Sequence, residues 1–165
     1  ARSAEGAVER RPVHTDAMVR EVADLLAGAT AAAPRSVTIA GKLPDLQADP
    51  ALVRQVFANL LANGIKFSGG AAEPRVEVGA ARAADGSMVF HVRDNGVGFT
   101  EAQVRELFVP FRRLHADRFD GHRIGLTIVR RIVERHGGRL WAEGRPGEGA
   151  TFYFTLEEQS STVAG

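Results

Sequence analysis

The spacing of apolar and polar residues predicts four helices along the chain. Each predicted helix combines apolar residues at helical intervals with residue types that begin or end a helix. Thr15, Asp16, Asp49 and Thr100 are N-capping residue types ahead of three of these segments, and Gly137 follows the last one. The predicted helices span residues 18–26, 51–67, 101–108 and 126–136.

Short runs of strand-forming residues predict five strands between these helices. They span residues 36–39, 75–82, 88–94, 139–143 and 151–156. Asp85-Gly86 is a hairpin signal between the second and third runs, and Pro44 and Pro50 bracket a predicted loop. Residues 110–123 show no clear periodicity and are predicted to form another loop. Helices that alternate with hairpins indicate an α/β fold, a two-layer sandwich with a mainly antiparallel sheet.

The composition is that of a single folded domain. The chain has 165 residues, and 44% of them are apolar, which is enough to build a core. Basic and acidic residues number 21 and 20, so the formal charge of +1 gives no support for nucleic-acid binding through phosphate contacts. No apolar run approaches the roughly 20 residues of a membrane helix. The absence of cysteine excludes disulfides and thiolate chemistry.

The two ends of the chain lack the periodic pattern of its middle. Residues 1–12 are polar and arginine-rich and are expected to form a linker. Residues 13–158 are expected to form the folded domain, and residues 159–165 a polar tail. Because the chain begins on Ala1 rather than on Met, we expect it to be a piece of a longer protein.

A row of polar residues follows one face of the predicted helix over residues 51–67. Gln55, Asn59, Asn63 and Lys66 are separated by steps of four, four and three residues, so they share that face. A solvated helix face is the ordinary interpretation, but it usually carries Glu, Lys and Arg, whereas Asn is a poor helix former. Amide oxygens suit a Mg²⁺ ion that is held mostly by water and phosphates, and a lysine can pair with a phosphate.

An acidic turn ends the predicted strand over residues 88–94. Asp94 is followed by Gly96 and Gly98, so a carboxylate stands beside backbone that a ligand can approach closely. The carboxylate can accept a hydrogen bond from an amino group such as that of adenine. An ordinary Asx turn is the alternative. A second glycine segment, residues 121–126, leads into a helix and is either a phosphate-binding loop or a simple cap.

The order of these motifs resembles that of the catalytic domain of sensor histidine kinases. Residues 59–67 (NLLANGIKF) resemble the N box, 94–98 (DNGVG) the G1 box, 107–114 (LFVPFRRL) the F box and 121–126 (GHRIGL) the G2 box. Residues 132–138 (IVERHGG) and 147–152 (GEGATF) resemble the closing helix and strands of that domain. The residues after the F box resemble most the phytochrome-type kinases.

The resemblance implies a Bergerat ATP-binding fold, with helices on one face of the sheet and with ATP and Mg²⁺ as cofactors. Asp94 would bind the adenine amino group, Asn63 would hold Mg²⁺ with help from Asn59, Lys66 would face the phosphates, and Arg113 would contact the γ-phosphate. Residues 99–124 would form a mobile lid. Further nucleotide contacts are expected at Phe67, Gly96, Gly98, Gly121, Arg123, Gly125, Leu126 and Thr151.

The resemblance also implies a phosphotransfer function in a two-component system. The domain would donate the ATP γ-phosphate to a histidine of an upstream dimerisation domain, and the parent protein would pass it to a response regulator. We expect a cytoplasmic domain that contacts neither nucleic acid nor membrane, monomeric alone and dimeric in its parent. No segment matches the phosphoacceptor motif, and His14 lies where the family carries no acceptor. The chain alone should therefore not phosphorylate itself.

Two alternative functions remain open within the same fold. Arg123 replaces a glycine of the usual Gly-x-Gly-x-Gly pattern of the G2 box. If that position needs a positive φ, a degenerate module with weakened ATP binding results. An ATP-hydrolysing switch, as in gyrase and chaperone relatives, is the second alternative. Those enzymes carry a glutamate one turn before the Mg²⁺-binding asparagine, and Asn59 at that position cannot act as a general base.

Overall fold

The computed structural model describes residues 8–29, 37–107 and 116–156 of the chain. The elements of this part are β1 (Arg11–Val13), α1 (Thr15–Ala29), β2 (Val37–Ile39), β3 (Leu46–Ala48), α2 (Pro50–Phe67), β4 (Val76–Arg82), β5 (Met88–Asp94), α3 (Glu101–Leu107), α4 (Ala116–Arg135), β6 (Leu140–Arg145) and β7 (Gly149–Phe154). None of the helices described is both long and apolar enough to cross a lipid bilayer.

Five strands form one mixed sheet in the order β2-β4-β5-β7-β6. Strand β2 runs parallel to β4, and the other neighbouring pairs in this sheet are antiparallel. Strands β1 and β3 form a separate antiparallel pair that places Pro12 opposite Gln47. The predicted two-layer α/β fold with a mainly antiparallel sheet is confirmed.

A cluster of aromatic rings joins α2 to one face of the sheet. Phe57 of α2 lies edge-on to Phe90 of β5 and to Phe154 of β7, with ring centroids 6.0 and 5.4 Å apart. These rings are buried, and burial of each contributes roughly 1.5–3 kcal/mol to stability. The opposite face of the sheet carries Trp141 and Tyr153, whose rings stack at 5.3 Å. The helix α2 is therefore held firmly against one side of strands β5 and β7.

The starts of α2 and α3 follow the capping rules. Asp49 has an extended backbone, and its carboxylate accepts a hydrogen bond from the N–H of Leu52 at 3.5 Å. Pro50 occupies the first turn of α2, where its missing N–H costs nothing. Thr100 and Gln103 exchange hydrogen bonds of 3.1 and 2.9 Å at the start of α3. The predicted helices over residues 51–67 and 101–108 are confirmed within one residue at each end.

Two short strands lie where the sequence predicts a linker and a loop. Strand β1 includes Arg11 and Pro12, which fall in the predicted linker over residues 1–12. Strand β3 lies between Pro44 and Pro50, where the sequence predicts a loop. Strands of three residues are too short to show an alternating pattern, so only their pairing with each other reveals them.

Helix α4 begins ten residues earlier than the sequence predicts. The prediction places a loop over residues 110–123 and a helix from residue 126, but α4 is helical from Ala116. The loop prediction is therefore wrong for residues 116–123, and residues 110–115 lie outside the described part of the chain. Gly121 and Gly125 weaken the helical pattern, since each costs about 1 kcal/mol relative to alanine inside a helix. The helix nevertheless includes both, ahead of the buried Leu126 and Val129.

His136 joins the end of α4 to the start of α2. Its side chain is almost fully buried, at 1% exposure. Nδ1–H donates a hydrogen bond to the carbonyl of Ile132 at 2.9 Å, and Nε2 accepts one from the N–H of Asp49 at 3.1 Å. Both contacts require the neutral ring with its proton on Nδ1. Burial lowers the pKa of His136, and the nearby positive charges of Arg10 and Arg135 act in the same direction.

The stability of the chain relative to a His136→Gln variant is expected to fall as the pH is lowered from about 7.5 to about 5.5. Because the pKa of His136 in the folded state lies below its ordinary value of 6.5, the unfolded state takes up the proton first. Stability is then lost below pH 6.5 at up to about 1.4 kcal/mol per pH unit. Urea unfolding of both proteins across this pH range measures the difference between their free energies of unfolding. A difference that does not change with pH would contradict the prediction.

Candidate functional site

Asp94 is a buried carboxylate at the end of β5. It is 4% exposed, and its Oδ1 accepts a hydrogen bond from the N–H of Gly96 at 2.8 Å. The N–H of Ala150, directly across on β7, also hydrogen-bonds to it. Burial raises the pKa of Asp94 to about 6, against the lowering effect of these two amides. A carboxylate has about four acceptor positions, so Asp94 is held in place and retains capacity to accept from a ligand.

Helix α2 passes directly beside this carboxylate. A Cβ built on Gly64 would lie 3.7 Å from the Cβ of Asp94 and 3.1 Å from Cγ1 of Val76. A side chain at position 64 would be in tight contact with Val76, which would have to move by a few tenths of an ångström. The close approach brings the preceding residue, Asn63, to the same end of the sheet as Asp94. Two residues that the sequence predicts to act together are thus brought together by the fold.

Asn63 carries a buried amide group without a partner. The side chain is 8% exposed, and its Nδ2 is inaccessible to solvent and makes no hydrogen bond within the described residues. Buried polar groups are paired in the great majority of cases, because an unpaired one costs roughly 1–3 kcal/mol. An asparagine that accepts this cost beside a buried carboxylate indicates a ligand-binding position.

The other members of the polar row lie at different depths on α2. Asn59, one turn before Asn63, is half-buried. Gln55 and Lys66, toward the two ends of the row, are exposed. The predicted row is therefore present on one helix face, with its most buried point at Asn63 and the exposed ammonium group of Lys66 one turn further along.

The two glycines of the acidic turn are required by packing. A Cβ on Gly96 would collide with the carbonyl of Phe67 at the end of α2, and one on Gly98 would collide with the carbonyl of Arg145. Gly98 also has a φ of 71°, which disfavours any other residue. The absence of a side chain at Gly96 and Gly98 thus lets the turn after Asp94 pack closely against α2 and β6. Their role in contact with nucleotide stays a prediction, since packing alone explains them.

Phe67 and Leu126 are placed in the core. The Phe67 ring lies edge-on to that of Phe99 at 5.2 Å, and only 9% of the residue is exposed. Leu126 is fully buried in α4. Both residues belong to the hydrophobic core, and their predicted nucleotide contact stays a prediction.

Thr151 does not share a face with Asp94. The β5–β7 register pairs Thr151 with Arg93, and the Thr151 hydroxyl accepts a hydrogen bond from Arg93 Nε at 3.3 Å. Side chains alternate along a strand, so this hydroxyl lies on the opposite side of the sheet from the carboxylate. The residue beside Asp94 is Ala150, which the sequence prediction missed. The inward apolar residues Phe152 and Phe154, at even spacing from Ala150, are the signal that identifies it.

The predicted lid is only partly described. Arg113 lies outside the described residues, whereas Gly121, Arg123 and Gly125 lie within helix α4. A helical backbone has a negative φ, so the condition for backbone strain at Arg123, a positive φ, is not met. The idea that Arg123 weakens ATP binding through such strain loses its basis.

A cavity of about 770 Å³ opens on the other side of Asp94, between α3 and strands β6 and β7. It contains neither Asn59, Asn63 nor Lys66, so it is distinct from the cluster along α2. The charged residues that line it are both basic and acidic: Arg93, Arg105, Arg145, Glu101, Glu143 and Glu148. The buried carboxylate and the unpaired amide are chemically specific, and we take them rather than this cavity as the candidate site.

Comparison with known proteins agrees with this arrangement. Residues 48–160 match the family described as histidine kinase-, DNA gyrase B-, and HSP90-like ATPase. The phytochrome-like protein Cph1 of Synechocystis sp. is 44% identical over 117 residues, which are 70% of this chain and 15% of Cph1. The adaptive-response sensory kinase SasA of Synechocystis sp. is 34% identical over 152 residues, which are 90% of this chain and 39% of SasA. The chain thus spans well under half the length of these relatives.

Solved structures show the same fold. Full-length ShkA in complex with AMPPNP superposes with a TM-score of 0.72 at 29% identity, over 90% of this chain and 31% of ShkA. The catalytic domain of histidine kinase ThkA, in a nucleotide-free form, superposes with a TM-score of 0.71 at 22% identity, over 92% of this chain and 97% of that domain. The resemblance to sensor histidine kinases, including phytochrome-like ones, is confirmed. The chain belongs to the histidine kinase-, DNA gyrase B- and HSP90-like ATPase family, as the ATP-binding catalytic domain of a sensor histidine kinase.

Proposed function

We propose that this domain binds ATP with Mg²⁺ between α2 and the end of β5 and donates the γ-phosphate to a histidine on a separate, upstream helical domain. The observation that carries the proposal is the buried, unpaired amide of Asn63 beside the buried carboxylate of Asp94. Asp94 is held by the N–H of Gly96 and keeps further acceptor positions, and the Nδ2 of Asn63 has no partner within the described residues, so together they would supply an acceptor for an amino group and an amide oxygen for a cation.

Asp94 recognises the base in this proposal. An ionised carboxylate only accepts hydrogen bonds, and the N–H of Gly96 holds Oδ1 in a fixed orientation. The adenine amino group is a donor and therefore matches the remaining acceptor positions. Burial excludes water from the contact, which strengthens the hydrogen bond and its selectivity.

Asn63 and Asn59 fit a magnesium ion that is shared with phosphates. No group of three His, Asp or Glu side chains lies together within the described residues, so a fully protein-bound metal site has no ligands there. Mg²⁺ prefers oxygen ligands and keeps several of its waters and phosphate contacts, so one or two amide oxygens suffice. The ion would neutralise charge on the β- and γ-phosphates. Lys66, exposed on the next turn of α2, would add a positive charge near them.

The chemistry in such a site consists mainly of positioning and charge neutralisation. An imidazole nitrogen of the acceptor histidine attacks the γ-phosphorus, the bond between the γ-phosphorus and the β,γ-bridging oxygen breaks, and ADP leaves. The attacking imidazole loses its proton to solvent. Asn59 cannot activate a water molecule as a base, so transfer to histidine is favoured over hydrolysis.

The partners in this proposal are the upstream dimerisation domain and a response regulator. One structural neighbour is histidine kinase ThkA in complex with the response regulator protein TrrA, at 22% identity to this chain. Residues 1–12 would lead in from the acceptor domain, 13–158 would form the catalytic unit and 159–165 the tail. The parent would be a dimer, the chain alone a monomer, and the domain would act in the cytoplasm.

The isolated 165-residue chain is expected to transfer no phosphate to itself but to label a supplied upstream helical domain of its parent. The physical reason is that the chain carries an ATP site without an acceptor motif. Incubation with radiolabelled ATP and Mg²⁺, followed by a test for acid-labile label, measures both outcomes. A His14→Gln variant is the control, because His14 is exposed on the surface. Acid-labile label on the isolated wild-type chain would contradict the prediction.

A further inference from the structure

Arg10 donates hydrogen bonds to backbone carbonyls in three separate parts of the fold. Its Nη1 donates hydrogen bonds to the carbonyls of Gln47 at 2.9 Å and Leu156 at 3.2 Å. Its Nη2 donates to the carbonyl of His136 at 2.7 Å. Gln47 belongs to β3, His136 directly follows α4, and Leu156 lies two residues after β7. One guanidinium thus hydrogen-bonds to three parts of the fold that are distant in sequence.

The three carbonyls form a socket suited to a guanidinium. The last carbonyls of a helix lack partners within it, and His136 supplies such a group just after α4. A guanidinium offers five N–H donors in a rigid fork and can therefore serve several acceptors at once. The positive charge also interacts favourably with the negative end of the α4 dipole. Arg10 is therefore held by a built arrangement of acceptors rather than by a single surface contact.

The residues around Arg10 extend this attachment. The N–H of Glu9 lies 3.4 Å from Oδ2 of Asp49, the residue that caps α2. Directly after Arg10, strand β1 pairs with β3, and Val13 at its end is 98% buried in the core, at 2% exposure. The segment over residues 9–13 is thus fixed to α2, β3, α4 and β7, although the sequence pattern predicts a linker as far as residue 12.

We propose that Arg10 is a positioning residue that sets the direction in which the preceding polypeptide joins the catalytic domain, and with it the reach of the upstream acceptor histidine. This inference rests on the proposed function, because positioning matters only if an acceptor is attached through this segment. Arg10 lies at the opposite end of α2 from Asn63, so it takes no part in nucleotide binding. Its loss should change how the acceptor is delivered and not how ATP is held.

Arg11 provides a matched control. It is the neighbouring residue of the same type, but its guanidinium is 65% exposed and contacts only the exposed Glu9 carboxylate at 3.3 Å, among the interactions described. Arg11→Ala therefore removes an arginine from the same segment without opening the socket. Arg10→Lys keeps the charge, but a single ammonium cannot span all three carbonyls. If Arg10→Ala does not fold, Arg10→Lys still tests the proposal.

Phosphotransfer is measured in two formats at saturating ATP and Mg²⁺. In one, the acceptor domain is joined in native order through residues 1–9, and in the other it is a separate chain. Arg10→Ala is expected to slow transfer to the attached acceptor by roughly tenfold, since small misplacements of reacting groups are costly. Arg10→Lys should give an intermediate loss, and Arg11→Ala none. ATP affinity and transfer to the separate acceptor should match the wild type in all three variants.

Amide hydrogen exchange of the 165-residue chain tests the attachment itself. Residues 11–13 and 46–48 should lose protection in Arg10→Ala and keep it in Arg11→Ala. The proposal is overturned if Arg10→Ala transfers normally to the attached acceptor, or if both formats slow together with weaker ATP binding. If the wild type transfers in neither format, the proposed function fails and positioning fails with it. The exchange result then decides only whether Arg10 anchors the fold.

Discussion

Asp94→Asn is expected to weaken ATP binding by roughly one to two orders of magnitude while the domain stays folded. The carboxylate of Asp94 accepts from the N–H of Gly96 and offers its remaining acceptor positions to the adenine amino group. The amide of asparagine places an NH₂ donor at one of these positions, so donor would face donor in a buried contact. Isothermal titration with ATP and Mg²⁺ measures the loss.

The same substitution should stabilise the nucleotide-free domain near neutral pH. The pKa of Asp94 is raised from 3.8 to about 6, so the folded state holds a proton between these values that the unfolded state releases. The stability that protonation provides is present below pH 3.8 and is lost as the pH rises through about 6. The asparagine variant has no such loss. Its stability relative to the wild type should therefore rise by up to about 3 kcal/mol between pH 4 and 7.

Asp85→Asn is the matched control for Asp94→Asn. Asp85 lies in the exposed β4–β5 hairpin, where its carboxylate accepts from the N–H and hydroxyl of Ser87. ATP affinity should be unchanged in this variant. Unchanged ATP affinity in Asp94→Asn would remove Asp94 from base recognition. Loss of the circular dichroism signal in that variant would show instead that the turn needs the carboxylate to fold.

The predicted elements that the structure confirms have strong local signals. Helix α2 combines the cap at Asp49, a proline at its first turn and apolar residues at helical spacing. The β4–β5 hairpin combines two alternating runs with a turn at Asp85-Gly86, where Gly86 has a φ of 92°. In each case the residues that determine the element lie within the element or next to it. A single sequence contains that information in full.

The predictions that fail depend on partners distant in sequence. Strand β1 exists because of its pairing with β3 and because of the contacts of Arg10 with His136 and Leu156, which are 126 and 146 residues away in sequence. Helix α4 includes two glycines that argue locally for a loop, so local propensity does not predict where this helix begins. The local spacing of apolar residues indicates neither the pairing of β1 nor the start of α4.

The candidate site shows the same division between local and distant information. The sequence predicts Asp94 and Asn63 from their own motifs, and Gly64, the residue after Asn63, packs close to Asp94. The resemblance predicts a nucleotide contact at Thr151, and the pairing of β7 with β5 places Ala150, the residue before it, opposite Asp94. A shift of one residue in a strand exchanges the two faces of the sheet. The motif identifies the strand next to Asp94, the register shows which of its residues pairs with Asp94, and the nucleotide contact of Thr151 stays a prediction.

Asn63→Ala is expected to weaken ATP binding by about tenfold or more in the presence of Mg²⁺ and to change it little when EDTA removes the metal. The Nδ2 group of Asn63 is buried without a hydrogen-bond partner within the described residues, and the amide oxygen is the atom that this prediction assigns to a cation shared with the phosphates. Removal of the unpaired Nδ2 also relieves a desolvation cost, so the melting temperature of the nucleotide-free chain should not fall.

Gln55→Ala provides the control for Asn63→Ala, because Gln55 lies on the same face of α2 but is exposed two turns earlier. It should bind ATP like the wild type under both conditions. If Asn63→Ala loses the same affinity with Mg²⁺ and with EDTA, Asn63 acts on the nucleotide by packing or direct hydrogen bonding and holds no metal. If the melting temperature also falls by several degrees, the amide supports the fold. A loss confined to the Mg²⁺ titration, with the melting temperature preserved, is the result that a metal-binding role requires, because only that role depends on the cation and not on the shape of α2.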